Sequence, residues 1–334
     1  MKIAIDAMGG DRAPEVIVQG AMKMAKEYPN VTLSLYGIKD QIEKYLTADL
    51  ANIQIVETTQ VVTNEDSPVL AIRKKEESSM VRAAYDVREG TQDGLFSAGN
   101  TGALLTAGTL IVGRIPGVIR PALMASLPNF GEKAQPTIFL DLGANADTKP
   151  EVINQLGILG SYFAKALHHV KTPQVALLNN GTEKDKGNET TKAAYQLLTE
   201  NNSIHFLGNI EARELLTTSA DVVVADGFVG NAALKTMEGT ALTMMKVLKT
   251  SILDSGIKGK LGGYLLKDAF RSLKNSMDYS KWGGAILIGT RAPVMKTHGA
   301  TNAEAVYQTL KQMKSILDSQ VIVELDDFFR ALKK

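Results

Sequence analysis

Short apolar runs alternate with longer amphipathic segments along the whole chain, and this alternation constrains the fold more than any other feature. Strand-like runs fall at 3–5, 31–36, 53–56, 94–97, 122–126, 137–140, 175–178, 204–207, 222–225 and 285–288. Helix-like segments lie between most of them, at 14–27, 67–89, 102–112, 151–168, 189–199, 230–249 and 302–317. Such an order predicts βαβ units and a mostly parallel sheet with helices on both faces, a three-layer α/β/α arrangement of Rossmann-like type. The strands are apolar throughout rather than alternating, as burial on both faces requires. No fixed-period repeat or low-complexity linker marks a boundary, so 1–334 is expected to form one large α/β catalytic unit.

In open α/β sheets ligands bind beyond the carboxyl ends of the strands. Five of those ends are alike in type. They carry Asp6-Ala7-Met8-Gly9-Gly10-Asp11, Ser97-Ala98-Gly99-Asn100-Thr101-Gly102, Asp141-Leu142-Gly143-Ala144-Asn145, Asn179 through Asn188, and Asp226-Gly227-Phe228-Val229-Gly230-Asn231. Glycine allows backbone to approach a ligand closely, and a helix starting after such a loop presents unpaired N–H groups and a positive dipole end. These loops therefore suit a phosphate group. Asn and Asp are also ordinary turn and cap residues, which is the competing reading for each loop taken alone.

The named nucleotide motifs are missing. No G-x-G-x-x-G occurs, and the stretch Gly181 to Gly187 has one residue too many for a P-loop and ends in Asn188. There is no G-x-S-x-G elbow and no cysteine, which removes the common acyl-enzyme nucleophiles and thiolate metal sites. Four scattered histidines make no metal site. No cofactor is expected. Cations near the loops are Lys184 and Lys186, Arg73-Lys74-Lys75, Arg114 and Arg120. Lys186, between two glycines in a strand-end loop, is the best placed to act. The acids Asp6, Asp11, Asp141, Glu183 and Asp226 are candidates for a general base, with helix capping as the alternative. Of the histidines only His298, in a polar loop before a helix, is a candidate for chemistry.

A formal net charge of +1 gives no electrostatic reason to expect nucleic acid. The N-terminus enters a strand pattern at once and no run has membrane-spanning length, so a cytoplasmic location is expected. One amphipathic segment stands apart, at about 252–282. Leu261, Leu265, Leu266, Ala269, Phe270, Leu273 and Met277 recur at helical spacing, and Lys267, Arg271 and Lys274 oppose them, with Lys258, Lys260 and Lys281 flanking. Four preceding glycines predict a flexible stem from which it protrudes. It suits an anionic membrane surface, an acidic partner or a dimer interface.

Taken in order, these loops, with Arg73-Lys74, Arg114, Pro116-Gly117, Arg120-Pro121-Ala122, Asn180-Gly181 and His298-Gly299, resemble the bacterial phosphate acyltransferase family of phospholipid synthesis. The resemblance runs over nearly the whole chain. Its one departure is Ala300-Thr301, where a serine is usual. The resemblance implies transfer of a long-chain acyl group from acyl carrier protein to inorganic phosphate. It also implies a fold like the isocitrate dehydrogenase and phosphate acetyltransferase group, a homodimer, peripheral membrane contact, and a product consumed by a membrane glycerol-3-phosphate acyltransferase. Phosphate is itself a nucleophile, so direct attack on the thioester is expected. Lys184, Lys186, Asn180 and Asn231 would then hold phosphate and the developing oxyanion, with Asp226 and His298 as further catalytic candidates. Competing expectations are a short-chain enzyme using coenzyme A, a decarboxylating dehydrogenase, and a non-catalytic carrier-protein or membrane adaptor.

Overall fold

A computed structural model describes residues 1–133, 135–277 and 283–332. The side chains of 273–277 are not described, so the expectations for Leu273, Lys274, Met277 and Lys281 lie outside the described residues. The strands are β1 (Lys2–Asp6), β2 (Thr32–Gly37), β3 (Ile53–Glu57), β4 (Gly94–Ser97), β5 (Ala122–Leu127), β6 (Thr137–Leu140), β7 (Gln174–Asn179), β8 (His205–Glu211), β9 (Val222–Val224), β10 (Ala285–Ile288) and β11 (Val294–Lys296). The helices are α1 (Glu15–Glu27), α2 (Lys39–Glu43), α3 (Pro68–Lys74), α4 (Ser79–Arg88), α5 (Thr101–Ala107), α6 (Pro150–His168), α7 (Glu189–Glu200), α8 (Gly227–Asp254), α9 (Gly256–Leu265), α10 (Lys267–Met277), α11 (Ala303–Ser319) and α12 (Val321–Ala331).

The described strands form one sheet in the order β3-β2-β1-β4-β11-β10-β5-β6-β9-β7-β8. Most pairs are parallel, as the alternating pattern predicts, but β11–β10, β10–β5 and β5–β6 are antiparallel. Strand direction therefore reverses across the middle of the sheet. The loops after β1, β4 and β11 open at one edge, and those after β6, β9 and β7 open at the other. This corrects the expectation that all five loops share one edge. Three successive antiparallel pairs make the net reversal, two of them the hairpins β10–β11 and β5–β6.

One face of the sheet carries a single continuous core. Ile5, Phe96, Met295, Ile286, Met124 and Leu140 lie on it, beneath α1, α6 and α11. The opposite face carries two separate cores. Ala4, Leu95, Val294 and Leu287 pack under α4 and α5, while Leu123, Phe139 and Val223 pack under Leu234 of α8. Leu287 and Leu123 are directly paired across β10 and β5, so the division falls over the centre of the sheet. Each wholly buried Leu or Ile in these clusters contributes on the order of 1.5–3 kcal/mol of apolar transfer. Leu105 and Ala144 pack against both clusters and bridge them, and a groove lies between α5 and the Asp141 loop beside them.

Two helix expectations are revised. The segment 67–89 is two helices, because the chain turns at Ser78, whose hydroxyl bonds Lys75 O at 2.6 Å. The glycine stem is itself helical, as α9, and the chain breaks again at Leu266 before α10. Only Gly227, Gly230 and Leu234 of α8 are buried, and α9 buries no residue. Among the described residues no helix is long and apolar enough to cross a membrane.

Candidate functional site

At the first edge, Asp6 organises the loops after β1 and β4. Its buried carboxylate accepts bonds from Ser79 Oγ at 2.6 Å, Ser97 Oγ at 2.7 Å and Met8 N at 3.2 Å. Burial pushes its pKa up, against those donors. Gly9 and Gly99 meet here so closely that a Cβ on Gly9 would lie 2.8 Å from Gly99 N. Asn100 caps α5 by accepting from Ala103 N and donates to Thr63 O and Asp66 O, which draws the 63–66 loop over Thr101 and Gly102. The third loop of this edge joins the first, since Asp11 N donates to Gly299 O at 2.9 Å. His298 is exposed, and its Nδ1 accepts from Ala300 N.

At the second edge Asp141 is fully buried and accepts five bonds, from Leu123 N, Gly143 N, Ala144 N, Asn145 N and the Asn145 side chain. Burial raises its pKa, yet every partner is a donor, so the loop accommodates the ionised carboxylate. The loop after β9 locks onto it. Gly227 N donates to Asn145 O at 2.9 Å, and a Cβ on Gly230 would stand 2.0 Å from Asp141 O. No side chain fits there. The same approach lays Asn231 against Gly143, which has φ of +118°. Asp226 caps α8 through Val229 N at 2.8 Å, while Phe228 is 70% exposed.

The loop after β7 is held by Asn179 and Asn209, which bond Lys186 O and Glu183 O, and by Asn188 capping α7. It presents Asn180, Lys184 and Lys186 to solvent beside the other two loops of its edge. Arg73 and Lys74 are also exposed, whereas Lys75 is engaged by Asp66 at 2.5 Å and Val61 O at 2.9 Å.

The groove beside the Asp141 loop lies on the second face of the sheet. Leu105 of α5 and Ala144 each pack against both cores of that face. At the first edge lies Lys296, which sequence reasoning missed. It alternates with Val294 along β11 and so faces the same side of the sheet. Its Nζ donates to Thr297 O at 2.7 Å. Burial pushes its pKa down to about 8, Lys235 of α8 adds to the drop, and Asp11 opposes it. From Gly227 to Lys235 α8 rises about 12 Å, roughly the length of a four-residue strand, so it carries a cation from the second edge back toward the first. Lys296 is thus a half-buried ammonium at the first edge, and Lys235 is an exposed one paired with Glu238 at 2.7 Å. Among the described residues no three His, Asp or Glu side chains converge as metal ligands.

The fold is shared with solved α/β structures. A phosphotransacetylase from Streptococcus pyogenes superposes with TM-score 0.64 at 17% identity, covering 96% of this chain and 94% of that one. Isocitrate dehydrogenase from Methylococcus capsulatus shares the fold more loosely, with TM-score 0.50 at 10% identity over 98% of this chain and 88% of that one. Residues 1–324 match the family model described as "Fatty acid synthesis protein". A "Phosphate acyltransferase" from Enterococcus faecalis is 53% identical over 98% of both chains. The chain belongs to the phosphate acyltransferase family and is an acyltransferase.

Proposed function

We propose that this enzyme transfers a long-chain acyl group from acyl carrier protein to inorganic phosphate, releasing acyl phosphate and the carrier thiol. What supports this most is the 53% identity to a phosphate acyltransferase over nearly the whole chain, in a protein whose strand-end loops offer amides and cations and which has no cysteine. Phosphate attacks the thioester carbonyl directly. The C–S bond breaks as the C–O bond forms, and the thiolate takes a proton on leaving.

We assign Lys296 and Lys235 to charge on phosphate, and Asn231, held over Gly143, to the oxyanion. Lys184 and Lys186, exposed on the neighbouring loop, meet the incoming donor. Exposed Lys258, Lys260, Lys267 and Arg271 offer a basic surface for an acidic carrier, and Ile257 and Leu265 nearby are 87% and 74% exposed. Such a surface also supports the homodimer and membrane contacts that the family resemblance implies.

The test is to mix purified enzyme, phosphate and palmitoyl-acyl carrier protein, then read free thiol colorimetrically and acyl phosphate by mass spectrometry. Phosphate-dependent release is expected. Turnover of acetyl-coenzyme A with an inert carrier-protein thioester would overturn the donor assignment.

A further inference from the structure

A groove of about 430 Å³ lies between α5 and the Asp141 loop. Its walls mix apolar and polar groups. Leu105, Thr106, Thr109 and Leu110 come from α5 and the turn after it, Leu287, Pro121 and Ala144 add apolar surface, and Asn145 with the exposed Arg114 and Arg120 adds polar surface. Leu110 is 64% exposed and Ile119, at the mouth, 39% exposed, which leaves apolar surface without a protein partner among the described residues.

The turn is unusual. Residues Gly108–Val112 form a π-helix closed by Gly113 N to Gly108 O at 3.0 Å. Single π-turns cluster at functional sites, because the extra residue redirects the side chains of one helical face. This one rests directly on the sheet, since a Cβ on Gly108 would lie 2.5 Å from the Leu287 side chain.

We infer that this groove binds the acyl chain of the donor, with the chain running from the Asn231 end of the groove past Thr109 to the Ile119 mouth. The inference rests on the acyl-transfer reading and adds to it where the chain lies. Continuity supports it. Ala144 and Asn145 line the groove and also belong to the loop that seats Asn231, so a carbonyl held by Asn231 has its alkyl tail beside the apolar strip of Ala144, Pro121, Leu105 and Leu110. Each methylene buried there strengthens binding roughly fourfold.

Two substitutions narrow the groove at different depths: Thr109→Phe midway, and Leu110→Glu at an exposed position where folding is safe. Each is compared with wild type using carrier-protein thioesters of four to eighteen carbons, alongside equilibrium binding of a fluorescent sixteen-carbon fatty acid. The expected result is a loss of tenfold or more in kcat/KM for the long donors, with the four-carbon donor and the phosphate KM within twofold. Fatty-acid affinity should weaken at least tenfold in both variants. An equal loss at every chain length, or unchanged probe binding, overturns the inference. If wild type turns over no donor, the acyl-transfer reading has failed, and the probe measurement still decides the groove.

Discussion

Lys296 offers the sharpest test, because its functional value and its structural cost should separate. Replace it with Met, which keeps the length and apolar stem but removes the charge. The ammonium's pKa falls from an ordinary 10.5 to about 8, first because of burial and then because of Lys235. At pH 7 both folded and unfolded chains are protonated, so folding bears the whole difference, about 3 kcal/mol. Losing the bond to Thr297 O returns about 1–2 kcal/mol of this. The variant should therefore be more stable than wild type by about 1–2 kcal/mol at pH 7.

The pH dependence fixes the sign. A lysine whose folded pKa is depressed destabilises the fold fully below about 8. That penalty fades as pH rises toward 10.5, because the unfolded chain binds the extra proton only within this window. Urea midpoints of both proteins from pH 7 to 10 should converge, with about 2 kcal/mol of the difference gone by pH 10. Turnover should fall about a hundredfold, the usual cost of removing one preorganised electrostatic group. A variant less stable than wild type at pH 7, or a stability gap that ignores pH, would refute the view of Lys296 as a strained charge kept for the reaction.

Three further outcomes follow from the geometry. Asp141→Asn sets an amide N–H₂ against donors that now face a carboxylate oxygen, so chemical denaturation should show a loss of about 3 kcal/mol or more; a loss below 1 kcal/mol would mean the loop re-forms without the charge. Gly230→Ala forces α8 away from Asp141 O, and overpacking of about 1–3 kcal/mol should appear as a lower melting temperature together with lost activity, because Asn231 moves with the helix. His168, 3.0 Å from Ser126 Oγ, is kept neutral by burial with a pKa of about 4. Its folded pKa lies below its unfolded value of 6.5, so stability is complete above that value and falls by about 2 kcal/mol by pH 5, and His168→Gln should flatten that limb of an acid titration.

Ten of the described strands were readable as short apolar runs, eight of them buried by the core on both faces and two, β3 and β8, at the sheet's edges. β11 was not, since Val294-Met295-Lys296 is too short to show alternation and ends in a charge. The signal that marks it is the turn Gly289 to Pro293 between two apolar runs, a hairpin signature. The same omission hid Lys296. Asp6 and Asp141 stood out by type, but type could not show that hydroxyls and amides of their own loops surround them. Asn100 and Asp226 do cap helices as their residue types predict, and the aim of the remaining loop amides depends on packing between loops far apart in sequence.

The reversal has a chemical consequence that a fully parallel sheet would not offer. With every strand pointing the same way, all strand-end loops would gather at one edge and surround a compact ligand. Here three loops sit at each edge, and a face roughly 13 Å along the strands lies between them. A free phosphate spans only a fraction of that length. In the proposed reaction phosphate and the thioester carbonyl must meet within about 3.5 Å near Asn231, and the rest of that length is left for the acyl tail beyond Ala144. The Gly230 contact with Asp141 O fixes that meeting point, because α8 carries both Asn231 and Lys235 from that one point of support.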